Sequence, residues 1–148
     1  MTAAGIFPTD EWTLVTGDTP DGPLHLRFRT DMPSEADRVL FKHVVLARWR
    51  YRPHPQHPGM PTGPDMSLMT EFEDLIIEAS DTARSWGSAV AIVTHNGMRE
   101  WRFYTPDVEL FQQHFNEALA GYGPYPLEFE VFDDPEWLAF HEVKPANH

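Results

Sequence analysis

An Asn-Gly pair at residues 96–97 constrains the fold of this chain more than any other feature. It joins two segments rich in β-branched and aromatic residues, 90–95 and 98–104. Asn and Gly tolerate the positive φ values that a type I′ turn requires, and the twist of that turn matches the strands it connects. Because helical patterns stand on both sides of this hairpin, the fold is limited to a few choices.

The segments around the hairpin predict alternating strands and helices. Residues 39–51 are typical of a central strand, and 65–84 predict an amphipathic helix. The buried side of that helix is expected to hold Leu68, Phe72, Leu75, Ile76 and Ala79. After the hairpin, Thr105-Pro106-Asp107 indicates a helix start with the Thr105 hydroxyl as cap. A last strand follows over 127–131, and Asp134 begins a short terminal helix.

From residue 39 onward the order is strand, helix, strand, strand, helix, strand. This order predicts an α+β fold of the ferredoxin-like split βαβ type (βαββαβ). An extra N-terminal β-hairpin should extend the sheet, and a short C-terminal helix should follow the core. We predict a single domain over 1–148, with the hairpin at 11–30, the core at 39–133 and the terminal helix at 134–142. Both core helices are expected to cover one sheet face and to leave the other open.

Charge and composition exclude several classes of protein. The formal net charge of −12 argues against nucleic acid as a partner, because phosphate binding needs cations. Without cysteine there can be no disulfide, thiolate catalysis or Cys-based zinc site. No apolar run approaches the ~20 residues that cross a bilayer, and the N-terminus lacks signal-peptide features. A cytoplasmic protein without a membrane partner is therefore expected.

Several motifs carry a family resemblance. They are Trp49-Arg50-Tyr51, the segment from Thr94 to Thr105 with its Arg-Glu-Trp-x-Phe-Tyr-Thr sequence, and Asp133-Asp134-Pro135-Glu136-Trp137. Over roughly 39–140 the chain resembles a bacterial family known only as a domain of unknown function, number 695 in its series. The resemblance implies a ferredoxin-like fold, similar in architecture to a regulator that inhibits a bacterial endoribonuclease. No activity is established for the family, so the resemblance assigns no catalytic residue.

The sheet face that is expected to be open is the first candidate site. Alternate residues of a strand share a face, which brings arginines of one strand beside glutamates of its neighbours. The set is Arg48, Arg50, Glu100, Arg102, Tyr104, Glu128 and Glu130. It is either a solvated lattice of weak ion pairs, or a partner interface with Val44, Leu46 and Tyr104 as its apolar part, or a pocket for an anionic small molecule.

The proline-rich segment 53–64 predicts a loop. It is either a plain surface loop or a binding lid. Its His54 and His57 lack the Cys or carboxylate that would complete a metal site, so no metal is predicted. No Gly-rich phosphate loop indicates a nucleotide either, and no cofactor is expected.

A binding or regulatory role is the leading functional prediction. An acidic surface would cover a basic protein partner such as a nuclease, as an inhibitor or immunity protein does, and a homodimer is a second mode of action. The surface would be the acidic C-terminal third or the helix face of Glu71, Asp74, Glu78 and Asp81. The alternatives are a cofactor-free enzyme of the dimeric ferredoxin-like monooxygenase type, with His43, His95 and Trp49 as test residues, or a structural accessory domain without a ligand.

Overall fold

A computed structural model describes residues 5–54, 56–82 and 86–144. The elements in chain order are β1 (Trp12–Thr19), β2 (Gly22–Arg29), α1 (Glu35–Leu40), β3 (His43–Arg50), β4 (Pro53–His54), β5 (His57–Pro61), α2 (Gly63–Thr82), β6 (Ser88–His95), β7 (Met98–Thr105), α3 (Val108–Ala118), β8 (Leu127–Asp133) and α4 (Leu138–His141). Six strands form one antiparallel sheet in the order β1-β2-β6-β7-β3-β8. The α+β class and the extension of the sheet by the N-terminal hairpin are confirmed.

The turn between β6 and β7 has the backbone that its two residues favour. Asn96 has a φ of 52° and Gly97 a φ of 77°. A Cβ on Gly97 would lie 3.3 Å from the carbonyl oxygen of Tyr51, while the Tyr51 amide donates to the Gly97 carbonyl at 2.9 Å. The turn therefore requires glycine for its conformation and for the close passage of the chain that follows β3.

Helices α2 and α3 pack on the same face of the sheet, as predicted. Their buried side chains meet the odd-numbered residues of β3 and the centre of β7 in one aromatic core. Its members include Val45, Ala47, Trp49, Met69, Phe72, Ile76, Trp101, Phe103, Phe111 and Phe115. Met69 is buried where Leu68 was expected, and Leu68 is exposed. This helix-side core sets which residues of each strand must face the other way.

The reverse face of the sheet is not open, and that prediction is wrong. A second apolar cluster covers much of it, formed by the segment at 5–7 and by the chain around α4. Its members include Phe7, Phe28, Val44, Leu46, Val90, Tyr104, Trp137 and Phe140. The physical reason is that the central strands are apolar on both faces, as sheets covered on both sides are.

Three local predictions also need correction. Residues 35–40 form α1, capped by the Ser34 hydroxyl, so β3 begins only at His43. The cap of α3 is Asp107, whose Oδ1 accepts the amides of Glu109 and Leu110. The Thr105 hydroxyl instead donates to the Trp86 carbonyl at 2.7 Å and accepts the Asp107 amide at 3.1 Å. The proline-rich segment forms the small β4–β5 hairpin rather than an irregular loop.

The helices offer no candidate membrane span. Among the described residues, no helix combines the length and the apolar character that a bilayer crossing requires.

Candidate functional site

The reverse face brings the predicted arginines and glutamates together. Arg48 on β3 lies directly opposite Glu100 on β7 and opposite Glu128 on β8. Two residues earlier on β3, Leu46 lies between Arg102 and Glu130. Residues directly opposite in antiparallel strands project from the same face. The predicted placement of these charged residues on one face is therefore confirmed.

Glu100 is the centre of this charged group. Its Oε1 accepts Arg48 Nε at 2.7 Å, and its Oε2 accepts Arg102 Nε at 2.6 Å. Arg48 also reaches Glu130 at 2.6 Å, and Arg102 reaches Glu142 at 2.9 Å. The hydrogen bond to Glu100 is the largest cause that raises the pKa of Arg48. We call these five residues the arginine–glutamate network.

Solvent exposure separates the stronger ion pairs of this surface from the weaker ones. The Glu100 side chain is only 8% exposed, so its two ion pairs are poorly screened by solvent. Arg50 and Glu128 pair at 3.0 Å but are 71% and 65% exposed. An ion pair as exposed as this one contributes about 0–1 kcal/mol to the free energy of unfolding. The network around Glu100 is therefore structural, and the Arg50–Glu128 pair is a solvated surface contact.

Tyr104 lies inside the molecule, which corrects its prediction as part of an accessible interface. Its side chain is fully buried and stacks on Trp137, with ring centroids 3.9 Å apart. Its hydroxyl donates to Asp134 Oδ2 at 2.6 Å and accepts the Phe140 amide at 3.2 Å. Burial, and then the Asp134 hydrogen bond, raise its pKa. Tyr104 therefore anchors the C-terminal segment and is closed to a partner.

A cleft of about 660 Å³ remains between the network and α4. Arg48 and Arg102 line it, but both guanidinium groups already hold carboxylates. Glu100 and Glu142 are among its lining residues as well. An anion entering here would have to displace an existing carboxylate, so this cleft does not favour the predicted anionic ligand.

The predicted acidic face of α2 is divided between the surface and the interior. Glu71, Asp74 and Glu78 are exposed. Asp81 instead turns toward the sheet, where its Oδ1 lies 2.5 Å from Arg29 Nη2. Asp81 therefore leaves the predicted outer face because its charge compensates a buried arginine.

Helix α3 continues the negative surface of α2. Its Glu109 and Glu117 are exposed, and Glu117 lies 3.3 Å from His114 Nδ1. A groove of about 230 Å³ between the two helices is lined by Asp74 and Glu78. Neither helix contains a Lys or Arg residue. We define Glu71, Asp74, Glu78, Glu109 and Glu117 as the acidic helical layer.

The family motifs lie at the structural centre of the molecule. The Arg-Glu-Trp-x-Phe-Tyr-Thr sequence forms β7 from Arg99 to Thr105, and Trp137 packs on the reverse face. A sequence model of a family of unknown function, DUF695, matches residues 10–143. The chain belongs to DUF695. The match includes the N-terminal hairpin, which the motifs did not reach, and no curated protein matches the chain.

The residues proposed for an enzyme do not converge in this DUF695 chain. His43 Nδ1 lies 2.7 Å from Asp133, and His95 Nε2 lies 2.9 Å from the Thr19 hydroxyl. Trp49 is buried in the helix-side core. A groove of about 180 Å³ between α3 and β8 is lined by apolar side chains and Gln112. No observation on these residues supports the monooxygenase alternative.

Metal binding finds no support in the described part of the chain. Within residues 5–54, 56–82 and 86–144, no three His, Asp or Glu side chains converge as a metal site requires. The His54 side chain and Pro55 lie outside the described residues, so the prediction for the pair of His54 and His57 stays a prediction.

Two buried arginines of this DUF695 chain were missed by sequence reasoning. Arg29 is fully buried, and its guanidinium lies 4.8 Å and 4.5 Å from the ring centroids of Phe7 and Trp12. Arg99 is also buried. In β2 the alternation of leucine and phenylalanine with arginine predicts a polar outer face. No local pattern signals the burial of Arg29, because the acid that compensates it, Asp81, lies 52 residues away in sequence.

Proposed function

We propose that this protein acts by binding, with its acidic helical layer covering a basic surface of another protein. One observation carries this proposal: the exposed charges of α2 and α3 are carboxylates, and neither helix contains Lys or Arg. A surface of one sign attracts partners of the opposite sign and speeds their association. A basic enzyme, such as a nuclease, would be blocked by occlusion, which is the action of an inhibitor or immunity protein.

The pairing of the arginines supports the same proposal. Arg27 is held by Glu73, and Arg48 and Arg102 are held by the network on the reverse face. These three cations pair with carboxylates that are not members of the acidic helical layer, so they do not neutralise that layer. The five acids of the layer are exposed, so a partner can reach them.

We also propose that the core is ferredoxin-like and that the protein works in the cytoplasm. Support for the first point comes from the order β6-β7-β3-β8 of the four core strands and from both core helices packing on one face.

A homodimer is a second candidate, favoured by the exposed edge strand β8. Its Phe129, Val131 and Phe132 side chains are exposed, and an apolar edge strand is open to pairing.

The experiment compares the chain with a variant that lacks three charges of the layer. Immobilised protein is exposed to a lysate of its source cells at about 50 mM salt and washed at about 500 mM, which shortens the reach of exposed charges. The variant is Glu71→Gln, Asp74→Asn and Glu78→Gln. The amide oxygen introduced by Glu71→Gln can still accept the hydrogen bond that the Tyr125 hydroxyl donates to Glu71. We expect a basic protein to be retained at low salt, released at high salt, and retained at least about tenfold less by the variant.

A control variant removes the same number of charges from other surfaces. It carries Asp18→Asn, Asp21→Asn and Glu136→Gln, three exposed acids outside the two core helices. It should retain the basic protein as the unmodified chain does. Retention that survives high salt, or that is equal for both variants, would contradict occlusion by the acidic helical layer.

A further inference from the structure

Arg99 on β7 is a buried cation. Its residue is only 7% exposed. Its Nε donates to the Thr94 hydroxyl at 2.8 Å, and its Nη1 lies 3.8 Å from the Met66 sulfur. In the part of the chain that the structure describes, Arg99 forms no ion pair. Arginine is almost never buried unless it is paired, because removing a lone charge from water is costly.

Glu73, whose negative charge acts on Arg99, does not fill the role of counter-ion. Both Glu73 oxygens are taken by Arg27, at 2.8 Å and 2.6 Å. Glu73 Oε1 also accepts Trp101 Nε1 at 3.0 Å. Among the described residues Glu73 therefore pairs with Arg27 alone, and the two arginines with one carboxylate leave a net positive charge inside a strongly acidic protein. Burial lowers the pKa of Arg99, and the positive charge of Arg27 lowers it further.

Arg99 ends a row of polar residues that crosses four strands. Thr16 on β1 lies opposite His25 on β2, and His25 lies opposite Thr94 on β6. Thr94 in turn lies opposite Arg99 on β7. Side chains directly opposite one another are about 4.5–5.5 Å apart at Cβ. The four residues line a single pocket of about 150 Å³, together with Arg27 and Met60.

The proline-rich hairpin forms one wall of this pocket. Met60 on β5 lines it, and the neighbouring Gly59 carbonyl accepts the Tyr51 hydroxyl. A Cβ on Gly59, whose φ is +82°, would lie 2.8 Å from Pro23 Cγ. The hairpin thus packs directly against the start of β2. The segment predicted as a loop or a lid is part of the enclosure of a cationic pocket.

We propose that this pocket binds a small oxyanion, a phosphate or carboxylate group, with Arg99 as its cation. A guanidinium recognises such groups through parallel hydrogen bonds, and the hydroxyls of Thr16 and Thr94 can add further donors. The apolar Leu14 and Ile92 also line the pocket, so a small apolar group can accompany the anion. A volume of about 150 Å³ matches a cavity that holds one small ring. It excludes a whole nucleotide.

The test titrates the full chain separately with phosphate and with butyrate, at constant ionic strength, by calorimetry and thermal unfolding. We expect saturable binding of at least one anion and a matching rise in Tm. The two arms distinguish a phosphate from a carboxylate ligand. Arg99→Gln should weaken binding at least about tenfold, because it removes a charge-assisted bond. The control, Arg50→Gln, changes an arginine that is 71% exposed and should bind like the unmodified chain.

A second variant covers the case in which Arg99→Gln does not fold. Thr16→Val keeps the shape of an exposed strand residue and removes one hydroxyl donor, and we expect it to weaken binding severalfold. The proposal is overturned if neither anion binds the unmodified chain saturably up to about 50 mM. Equal binding by folded Arg99→Gln would overturn it too. Both outcomes are independent of the acidic helical layer, which is a different surface.

Discussion

Replacing Arg29 with methionine is expected to lower the free energy of unfolding by about 3–5 kcal/mol, because it leaves a partly buried carboxylate without its cation. Arg29 is fully buried and lies 2.5 Å from Asp81, whose side chain is 20% exposed. Its Nε also donates to the Ala89 carbonyl at 3.0 Å. Urea unfolding at neutral pH measures the loss.

The same variant should respond to pH in a defined direction. Burial raises the pKa of Asp81 and Arg29 opposes that rise, so without Arg29 the carboxyl of the folded protein should protonate more readily. A folded-state pKa above the unfolded value of about 3.9 means that stability is lost as pH rises above that value. The deficit of the Arg29→Met variant should therefore shrink between neutral pH and about pH 4.5.

A matched arginine on the surface provides the control. Arg50 and its partner Glu128 are 71% and 65% exposed, so Arg50→Met should change stability by less than about 1 kcal/mol. If Arg29→Met cost no more than Arg50→Met, the buried Arg29–Asp81 ion pair would not stabilise the packing of β2 on α2.

The Asp134→Ala variant is expected to lose about 2–4 kcal/mol, from a lost helix cap and a buried hydroxyl left without an acceptor. Asp134 Oδ1 accepts the Leu138 amide, and Oδ2 accepts the Ala139 amide, each at 2.9 Å. Oδ2 also accepts the Tyr104 hydroxyl at 2.6 Å. Urea unfolding followed by tryptophan fluorescence reports the change, since Trp137 stacks on Tyr104.

Two companion variants separate the parts of this effect. Tyr104→Phe keeps the cap of α4 and should cost only about 1–2 kcal/mol. The raised pKa of Tyr104 means that stability falls as pH rises above about 10, the unfolded value. Tyr104→Phe should lack that part of the fall. Asp133→Ala removes an exposed neighbouring acid, and an equal loss from it would show that the Asp134 contacts are unimportant.

Which face of the sheet each strand residue occupies was predictable, because successive side chains of a strand alternate between the two faces. Once Trp49 and Trp101 are placed in the core, Arg48 and Arg102 must face the other way. The Asn-Gly turn sets the register of β6 against β7, but Arg48 meets Glu100 through the pairing of β3 with β7, which joins residues 52 positions apart in sequence. Only the assignment of side chains to faces is therefore a local prediction.

What covers that face was not predictable from local patterns. The capping residue Asp134 indicates a terminal helix, but nothing near it shows that the helix folds back onto Tyr104, 30 residues away in sequence. The pairing of Arg29 with Asp81 likewise spans 52 residues. In an alternating strand, a polar residue produces the same sequence pattern whether its side chain faces solvent or a buried partner. Burial of Arg29 and Arg99 therefore became visible only with the tertiary structure.

The acidic helical layer is tested most directly by mapping where a captured basic protein docks. Amide hydrogen exchange of this chain would be compared with and without the basic protein that it retains at low salt. We predict slower exchange in α2 and α3, at the turns that carry Glu71, Asp74 and Glu117, and unchanged exchange in α4. Protection confined to β8 and α4, with none in the two helices, would contradict the proposed mode of binding.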